Sequence, residues 1–157
     1  MVAGLKEPNL VADVMAKLRS DADVSSYIGL GTTARIHTAF PSGDEQWTMP
    51  DYAILVRRAG GPRPIMTIGR HFTRIDVRCY APGKTLNIQR RLADELWRTV
   101  NPVLCPPPGR GIAAGWRATD MIVETVDQES EPIPMIEPVA NWALVLCSYT
   151  VTWRLYP

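Results

Sequence analysis

The triplet Gly83-Lys84-Thr85 is the part of this sequence that comes nearest to an enzyme motif. It lies between a predicted strand and a predicted helix, as the end of a phosphate-binding P-loop does. A P-loop also needs a glycine five residues before Gly83, so that backbone N–H groups can surround the phosphates. Arg78 occupies that position. The remaining connection is too short to hold a triphosphate, so the triplet is predicted to be a turn that leads into a helix.

Histidines, cysteines and carboxylates are spaced in ways that do not predict a reactive site. Neither His37 nor His71 has a cysteine, histidine or carboxylate at the spacing of a metal ligand. No Gly-x-Ser-x-Gly elbow is present for a nucleophilic serine. The cysteines, Cys79, Cys105 and Cys147, are far apart and odd in number, which favours a reducing compartment. We therefore predict no catalytic, metal-binding or cofactor-binding residue, and a protein that is not an enzyme.

The composition is typical of one soluble domain that spans residues 1–157. The chain is 46% hydrophobic and 21% charged, and at this length it can bury about 70% of its unfolded surface without a disulfide or metal. Lys+Arg 17 against Asp+Glu 16 gives a formal net charge of +1, which disfavours a dedicated nucleic-acid-binding protein. We find neither a signal peptide nor an apolar run of the ~20 residues that span a membrane. We expect a soluble protein made in the cytoplasm, with no membrane partner.

The densest basic cluster lies on or beside one predicted hairpin and consists of Arg57, Arg58, Arg63, Arg70 and Arg74. Such residues are often no more than the solvated ends and turn of a hairpin. The alternative is a surface that faces DNA or an acidic partner, where contacts with phosphates would be independent of sequence. The residues alone leave both interpretations open.

Hydrophobic periodicity predicts two main helices. The first begins near Asn9, whose side chain is suited to an N-cap, and a short second helical turn is expected within residues 20–28. The second main helix runs from Thr85 to Val100, with one apolar half and one charged half, and Asn101-Pro102 is predicted to end it.

Strands are predicted where apolar and polar residues alternate, over residues 51–58, 65–81 with a bend at Gly69, 116–126 and 142–156. Exposed loops are predicted near residues 59–64, 105–111 and 127–141, where glycine, proline or acidic residues gather. This order of elements predicts an α/β (α+β) fold. It would contain a mostly antiparallel sheet of about four to five strands with two main helices packed on one face.

The whole order resembles the tail terminator (tail completion) proteins of long-tailed bacteriophages, roughly from Leu10 to Leu155. Four parts of the sequence carry the resemblance. They are the N-terminal helix leading into LRSDADVSSYIG and ARIHTAFP, the first long strand in MPDYAILVRRAGG, the strand, turn and helix in TRIDVRCYAPGKTLNIQRRLADELWRTV, and the last strand in NWALVLCSYTVTWRL. The likeness is one of element order and short phrases.

The resemblance implies a ring, generally of six subunits, that stops polymerisation of the tail tube and presents the tail to the head. The partners would be further copies of this chain, the tail tube protein and a head-completion or neck protein. The protein would be located at the head-proximal end of the virion tail, and it would be assembled there in the bacterial cytoplasm. We expect the basic hairpin to line a channel that DNA traverses, and we expect partner contacts from the loop residues Glu129, Glu131, Ile133, Met135 and Ile136.

Two other classes remain open. One is a head-completion or stopper protein of the same neck region, although the two long helical segments favour the terminator. The other is a small cytosolic ligand-binding domain, which would need a concave pocket with convergent polar groups. The sequence contains no cluster of titratable residues that predicts such a pocket.

Overall fold

A computed structural model describes residues 9–38, 51–59, 69–106, 116–118, 121–137 and 141–155. Over these residues the chain forms three α-helices, one turn of 3-10 helix at Gly31–Thr33, and seven strands. The helices are α1 (Leu10–Ser20), α2 (Ala22–Ile28) and α3 (Leu86–Leu104). The strands are β1 (Ile36–His37), β2 (Ala53–Arg58), β3 (Arg70–Tyr80), β4 (Trp116–Arg117), β5 (Met121–Gln128), β6 (Ile133–Glu137) and β7 (Trp142–Leu155).

The first two helices begin and end at the residues that local chemistry favours. The Asn9 side chain accepts a hydrogen bond from the backbone N–H of Ala12 at 3.1 Å and caps α1. Asp21 separates the helices and caps α2. Gly29 ends α2 with a φ of 93°, a conformation that glycine adopts without steric cost. The predicted N-cap and the predicted second helical turn are both confirmed.

Helix α3 is longer than predicted. Thr85 caps it by accepting a hydrogen bond from the N–H of Ile88 at 3.3 Å, and the predicted apolar stripe is its buried side. The prediction that Asn101-Pro102 ends the helix was wrong, because α3 continues through Pro102 to Leu104. Leu104 is fully buried in the main core, and this burial offsets the backbone hydrogen bond that a proline cannot donate.

The sheet has seven strands and is mixed, which corrects the prediction of four to five mostly antiparallel strands. Its order is β1-β2-β3-β7-β5-β4, and β6 also pairs with β7. The parallel pair joins β1 to β2, with Ile36 opposite Ile54. Strands β1 and β4 have only two residues each, too few to show a period in the sequence. Pairing with a long neighbouring strand is what makes them part of the sheet.

All three described helices pack on one face of the sheet, as predicted for the two main ones. Strand residues of that face, among them Ile75, Val77 and Tyr149, form one core with buried residues of α1, α2 and α3. Even-numbered residues of β3 point to the opposite face, called the far face here. No described helix is both long and apolar enough to cross a membrane.

Residues 127–141 were predicted to be a long exposed loop, and the structure corrects this. Strand β5 extends to Gln128, and β6 pairs with β7 from Ile133 to Glu137. Strand β3 occupies the other edge of β7, so β5 and β6 follow one another along the same edge. Between them, the four residues 129–132 lie opposite only the two residues 147–148. Segment 127–137 is therefore mostly strand with an irregular step. Residues 138–140 lie outside the described residues.

Candidate functional site

The predicted basic cluster is partly brought together by the β2–β3 hairpin. Arg57 and Arg58 end β2, where the adjacent Ala59 N–H donates to the backbone oxygen of Arg74 at 2.9 Å. Arg70 lies at the start of the same strand, β3, and all four of these arginines are exposed. The fifth, Arg63, lies outside the described residues, as does most of the predicted loop at 59–64.

Three arginines on the far face of β3 each pair with a glutamate from the β5–β6 edge. Arg70 Nε lies 2.8 Å from Glu124, Arg74 Nε lies 2.8 Å from Glu129, and Arg78 Nη1 lies 3.3 Å from Glu137. We call these contacts the arginine–glutamate row. Each pair reaches across β7, so the row connects the β5–β6 edge to β3.

The row changes how the basic cluster should be interpreted. Arg70 and Arg74 hold carboxylates of their own chain, and Arg154 also contacts Glu124 at 3.1 Å. Their positive charge is therefore partly compensated within the subunit, since Glu124 is shared between Arg70 and Arg154. Among the described residues, Arg57 and Arg58 are in no ion pair, so they are the members of the cluster best able to attract phosphate. A channel-lining role for the cluster stays a prediction.

The predicted partner-contact residues divide into two groups. Glu129 lies in the irregular step and bonds both Arg74 and Thr150, so it has a role within the subunit, while Glu131 is exposed. Ile133, Met135 and Ile136 lie together on β6 and are 48%, 42% and 51% exposed. Soluble proteins usually keep runs of such side chains away from water. The structure therefore gathers the aliphatic part of the prediction on one strand.

Strand β6 lies at an edge because its sequence limits further pairing. Pro134 has no backbone N–H and stands in the middle of the strand. Prolines are found in sheets almost only on edge strands, where they discourage another chain from adding a strand. Glu137, whose side chain is mostly buried with that of Arg78, fixes the end of β6. A further protein would therefore contact β6 through its apolar side chains more readily than by pairing with its backbone.

A cleft of about 450 Å³ separates β6 from α3. Its apolar lining comes from Pro132, Pro134 and Val145. Its polar lining comes from α3, at Asn87, Arg90, Arg91 and Asp94. Asp94 is engaged by Arg98 at 2.8 Å, whereas Arg90 and Arg91 are exposed and in no ion pair among the described residues. The cleft thus has an apolar wall and a basic rim.

Gln89 fixes the start of α3 relative to β7, and with it one end of the cleft. Its side-chain amide donates to the Gly83 backbone oxygen at 2.9 Å and accepts from the Ala143 N–H at 3.0 Å. A Cβ on Gly83 would lie 2.9 Å from the Gln89 backbone nitrogen, so only glycine fits. Together with the Thr85 cap, this confirms that Gly83-Lys84-Thr85 is a turn at a helix start.

The two histidines lie apart from this cleft. His37 is in β1, where burial and the nearby charge of Arg19 lower its pKa. His71 stacks on Trp153 with ring centroids 4.2 Å apart. Among the described residues, no group of three or more His, Cys, Asp or Glu side chains could hold a metal ion.

The titratable groups that burial affects most belong to the core. Burial raises the pKa of the Cys79 thiol and that of the Tyr149 hydroxyl well above their usual ranges. The Tyr149 hydroxyl accepts from Trp97 Nε1 at 3.2 Å and donates to Asn101 Oδ1 at 2.8 Å. Its hydrogen-bonding capacity is used to join β7 to α3.

No protein-family model and no curated protein sequence matches this chain. Functional statements about it therefore rest on its residues and its fold.

Sequence reasoning missed three residues that the structure brings to attention. Arg90 and Arg91 were assigned only to the solvated half of α3, because nothing in the sequence places β6 beside that half. Leu30 was not selected at all, although it is 75% exposed and follows α2 directly. Its position after a predicted helix end, between Gly29 and Gly31, is a weak signal of exposure.

Proposed function

We propose that this protein is a structural subunit of a bacteriophage tail. It forms a ring that ends polymerisation of the tail tube and offers the attachment surface for the head or neck. The observation that carries the proposal is the edge strand β6, where Ile133 and Met135 on one face and Ile136 on the other are each about half exposed. An apolar patch of this kind is typical of a protein–protein contact.

The free energy gained by burying the exposed side chains of β6 is small, which suits a subunit that assembles only at a defined place. Fully burying one aliphatic side chain is worth about 1.5–3 kcal/mol, so covering the exposed half of three gives roughly 3 kcal/mol. Association itself costs at least about 4 kcal/mol in lost freedom of motion. The strand alone therefore favours weak pairing, which ring closure and a tube end would strengthen because each subunit then gains several contacts at once.

The groups that could serve acid–base chemistry support the same proposal. Cys79, Tyr80 and Tyr149 are fully buried, and burial is the main reason that their pKa values are raised. None of them lines the cleft. The cleft itself offers two arginines and an amide, which bind and orient, and one carboxylate, Asp94, which is engaged by Arg98.

The proposal also rests on the terminator resemblance, which is a likeness of element order and short phrases. Helices α1 and α2 precede a long β hairpin, α3 follows β3 after a short turn, and the chain returns through the edge strands to β7. Two helical segments of this length favour a terminator over a stopper protein, which remains the alternative within the phage neck.

The test is the oligomeric state of the purified protein, measured by size-exclusion chromatography with light scattering, alone and with the tail tube protein encoded in the same genome. We expect either a closed ring in solution or a monomer that assembles on tube ends and limits tube length in electron micrographs. A monomer that leaves tube growth unchanged would contradict the proposal. Binding to head or portal protein in place of tube protein would indicate the stopper alternative.

One observation favours a second candidate, a ligand-binding domain. The basic rim of the cleft, with Arg90 and Arg91, is suited to a small anion. A domain of that kind would show a melting temperature that rises with phosphate or carboxylate concentration, because a ligand that binds only the folded state stabilises it. The rise would be lost in the Arg90→Ala, Arg91→Ala variant. A structural subunit shows no such saturable rise.

A further inference from the structure

The cleft between α3 and β6 combines an apolar wall with unpaired positive charge. Pro132, Pro134 and Val145 form the wall. Pro134 lies opposite Val145, which packs beneath α3, so the wall belongs to the face of the sheet that carries the helices. Arg90 and Arg91 line the same cleft, are exposed, and are in no ion pair among the described residues. One opening therefore offers both apolar contact and attraction for carboxylates.

The size of the cleft suits part of a polypeptide. Its volume of about 450 Å³ falls within the range of roughly 300–1,000 Å³ that is typical of sites for whole organic groups. Its one carboxylate, Asp94, is engaged by Arg98 at 2.8 Å, and the amide of Asn87 can both donate to and accept from a peptide backbone. The best-suited occupant has a large apolar side chain close to one or two carboxylates.

Residues 39–50, with the sequence AFPSGDEQWTMP, have the matching chemistry. The segment lies outside the described residues, and it contains Asp44 and Glu45 but no lysine or arginine. Trp47 follows two residues later, and tryptophan is among the residue types most enriched at the energetic centres of interfaces. Every other segment outside the described residues has at most one acidic residue and no tryptophan.

Distance favours the cleft of a neighbouring copy over that of the same chain. The segment is attached at Thr38, directly after β1, and at Asp51, shortly before β2, so both attachments lie at the β1–β2 edge. Strand β6 is four strand positions from β1, roughly 19 Å at about 4.8 Å per strand. Asp44 is six residues from Thr38, a length that spans at most about 21 Å. Helix α3 packs on β3 and β7 and also contacts α1 and α2, so the path around it is longer than the straight line.

From these observations we infer that segment 39–50 of one copy docks in the cleft between α3 and β6 of the next copy. Trp47 would lie against the apolar wall, and the two carboxylates of the segment would lie near Arg90 and Arg91. The inference rests on the proposed ring and names two of its contact surfaces. A contact between two different surfaces repeats from copy to copy and can close a ring, and the opposite charges select its register.

A labelled synthetic peptide of residues 39–50 tests the docking directly. Fluorescence anisotropy should show saturable binding to the full-length protein at a concentration at which the protein is monomeric. Binding should be about tenfold weaker in the Arg90→Glu, Arg91→Glu variant, because the attraction becomes repulsion. The matched control is Arg19→Glu with Lys84→Glu, which makes the same change of charge at two exposed residues outside the cleft and should bind like wild type. Circular dichroism checks folding, and Arg90→Gln with Arg91→Gln replaces a reversal variant that does not fold.

Exchanging the charges tests the same contact in the assembled protein. Reversal of the cleft by Arg90→Glu with Arg91→Glu, or of the segment by Asp44→Lys with Glu45→Lys, should weaken association about tenfold. A chain that carries all four substitutions should associate again, because its cleft and its segment once more have opposite charges. Sedimentation velocity in solution and electron microscopy on tube ends measure the association.

The possible failures separate the interface from the ring. If the peptide does not bind and rings form regardless of both reversals, the interface assignment is wrong and the ring function stands. Peptide binding that is unchanged by reversal of Arg90 and Arg91 also overturns the assignment. A wild-type chain that associates neither in solution nor on tube ends overturns both proposals. Inorganic phosphate that saturates the cleft while the peptide does not bind would assign the cleft to the small-anion function instead.

Discussion

Gln89 offers the sharpest test of how the structure holds the cleft together. Its amide bonds the Gly83 oxygen at 2.9 Å and the Ala143 N–H at 3.0 Å, and both Gln89 and Ala143 are buried. Gln89→Leu keeps the approximate volume but removes both hydrogen bonds. It leaves two backbone groups without partners, one of them an N–H shielded from water.

The expected loss can be worked from these contacts. Each hydrogen bond contributes about 0.5–1.5 kcal/mol net, and a buried group left without its partner costs about 1–3 kcal/mol. Allowing for better apolar packing of leucine, we expect Gln89→Leu to lower the free energy of unfolding by about 2–4 kcal/mol. For a chain of this length that corresponds to a melting temperature lower by roughly 5–15 °C. The fold should survive, because domains of this size typically have about 5–15 kcal/mol of stability.

Urea unfolding followed by circular dichroism measures this loss. Glu95→Leu is the control, since Glu95 is an exposed residue of the same helix, and its effect should stay within about 0.5 kcal/mol. A Gln89→Leu protein as stable as the control would refute the claim that these two hydrogen bonds hold the turn against β7.

The Gln89→Glu variant adds a dependence on pH whose sign follows from the same geometry. An ionised carboxylate can accept from Ala143 but repels the Gly83 oxygen, whereas a protonated carboxyl can bond both. The folded-state pKa of Glu at position 89 should therefore be raised above the unfolded value of about 4.3. Its stabilising contribution is complete below the unfolded pKa and is lost as pH rises through the folded pKa. The stability of this variant relative to wild type should fall between pH 4 and pH 7, and a constant difference would contradict the geometry.

Further expectations concern the core and the hairpin. Tyr149→Phe removes both hydrogen bonds of the hydroxyl and should cost about 1–3 kcal/mol in urea unfolding; no measurable loss would show that water replaces them. In the folded protein a thiol reagent should modify Cys105 first, because the other two cysteines are buried with raised pKa values. Mass spectrometry of the labelled peptides identifies the modified cysteine. Fast labelling of Cys79 or Cys147 would contradict their burial. Arg57→Glu with Arg58→Glu should leave stability within about 0.5 kcal/mol but reduce DNA ejection if the hairpin lines the channel, and normal infectivity would count against that role.

Local signals in the sequence identified much of the scaffold. The apolar stripe of α3 and the capping residue Asn9 were predicted correctly, because each depends on residues within a few positions of one another. The alternation of β3 and β7 was equally visible, since both strands are long and have one buried face.

The missed parts depend on contacts between distant residues. Strand β6 contains Pro134 and follows several acidic residues, which favours a loop on local grounds. The backbone of β7 pairs with it nonetheless, and Glu137 joins Arg78, a residue 59 positions away. The charge of Arg70 and Arg74 was evident from the sequence, but their partners, Glu124 and Glu129, could not be assigned without the sheet order.

The arginine–glutamate row, which the sequence did not predict, also bears on the proposed function. The Arg70 and Arg74 pairs are partly exposed, and such ion pairs add only about 0–1 kcal/mol each, whereas the Arg78–Glu137 pair is mostly buried. The row fixes the β5–β6 edge at three points along β3. A contact strand held in place loses less freedom on assembly than a mobile loop, and more of its apolar contact energy is then available for binding. In the proposed ring, Arg70 and Arg74 of the basic cluster would hold β5 and the step before β6 in place, and Arg78 would hold β6 itself.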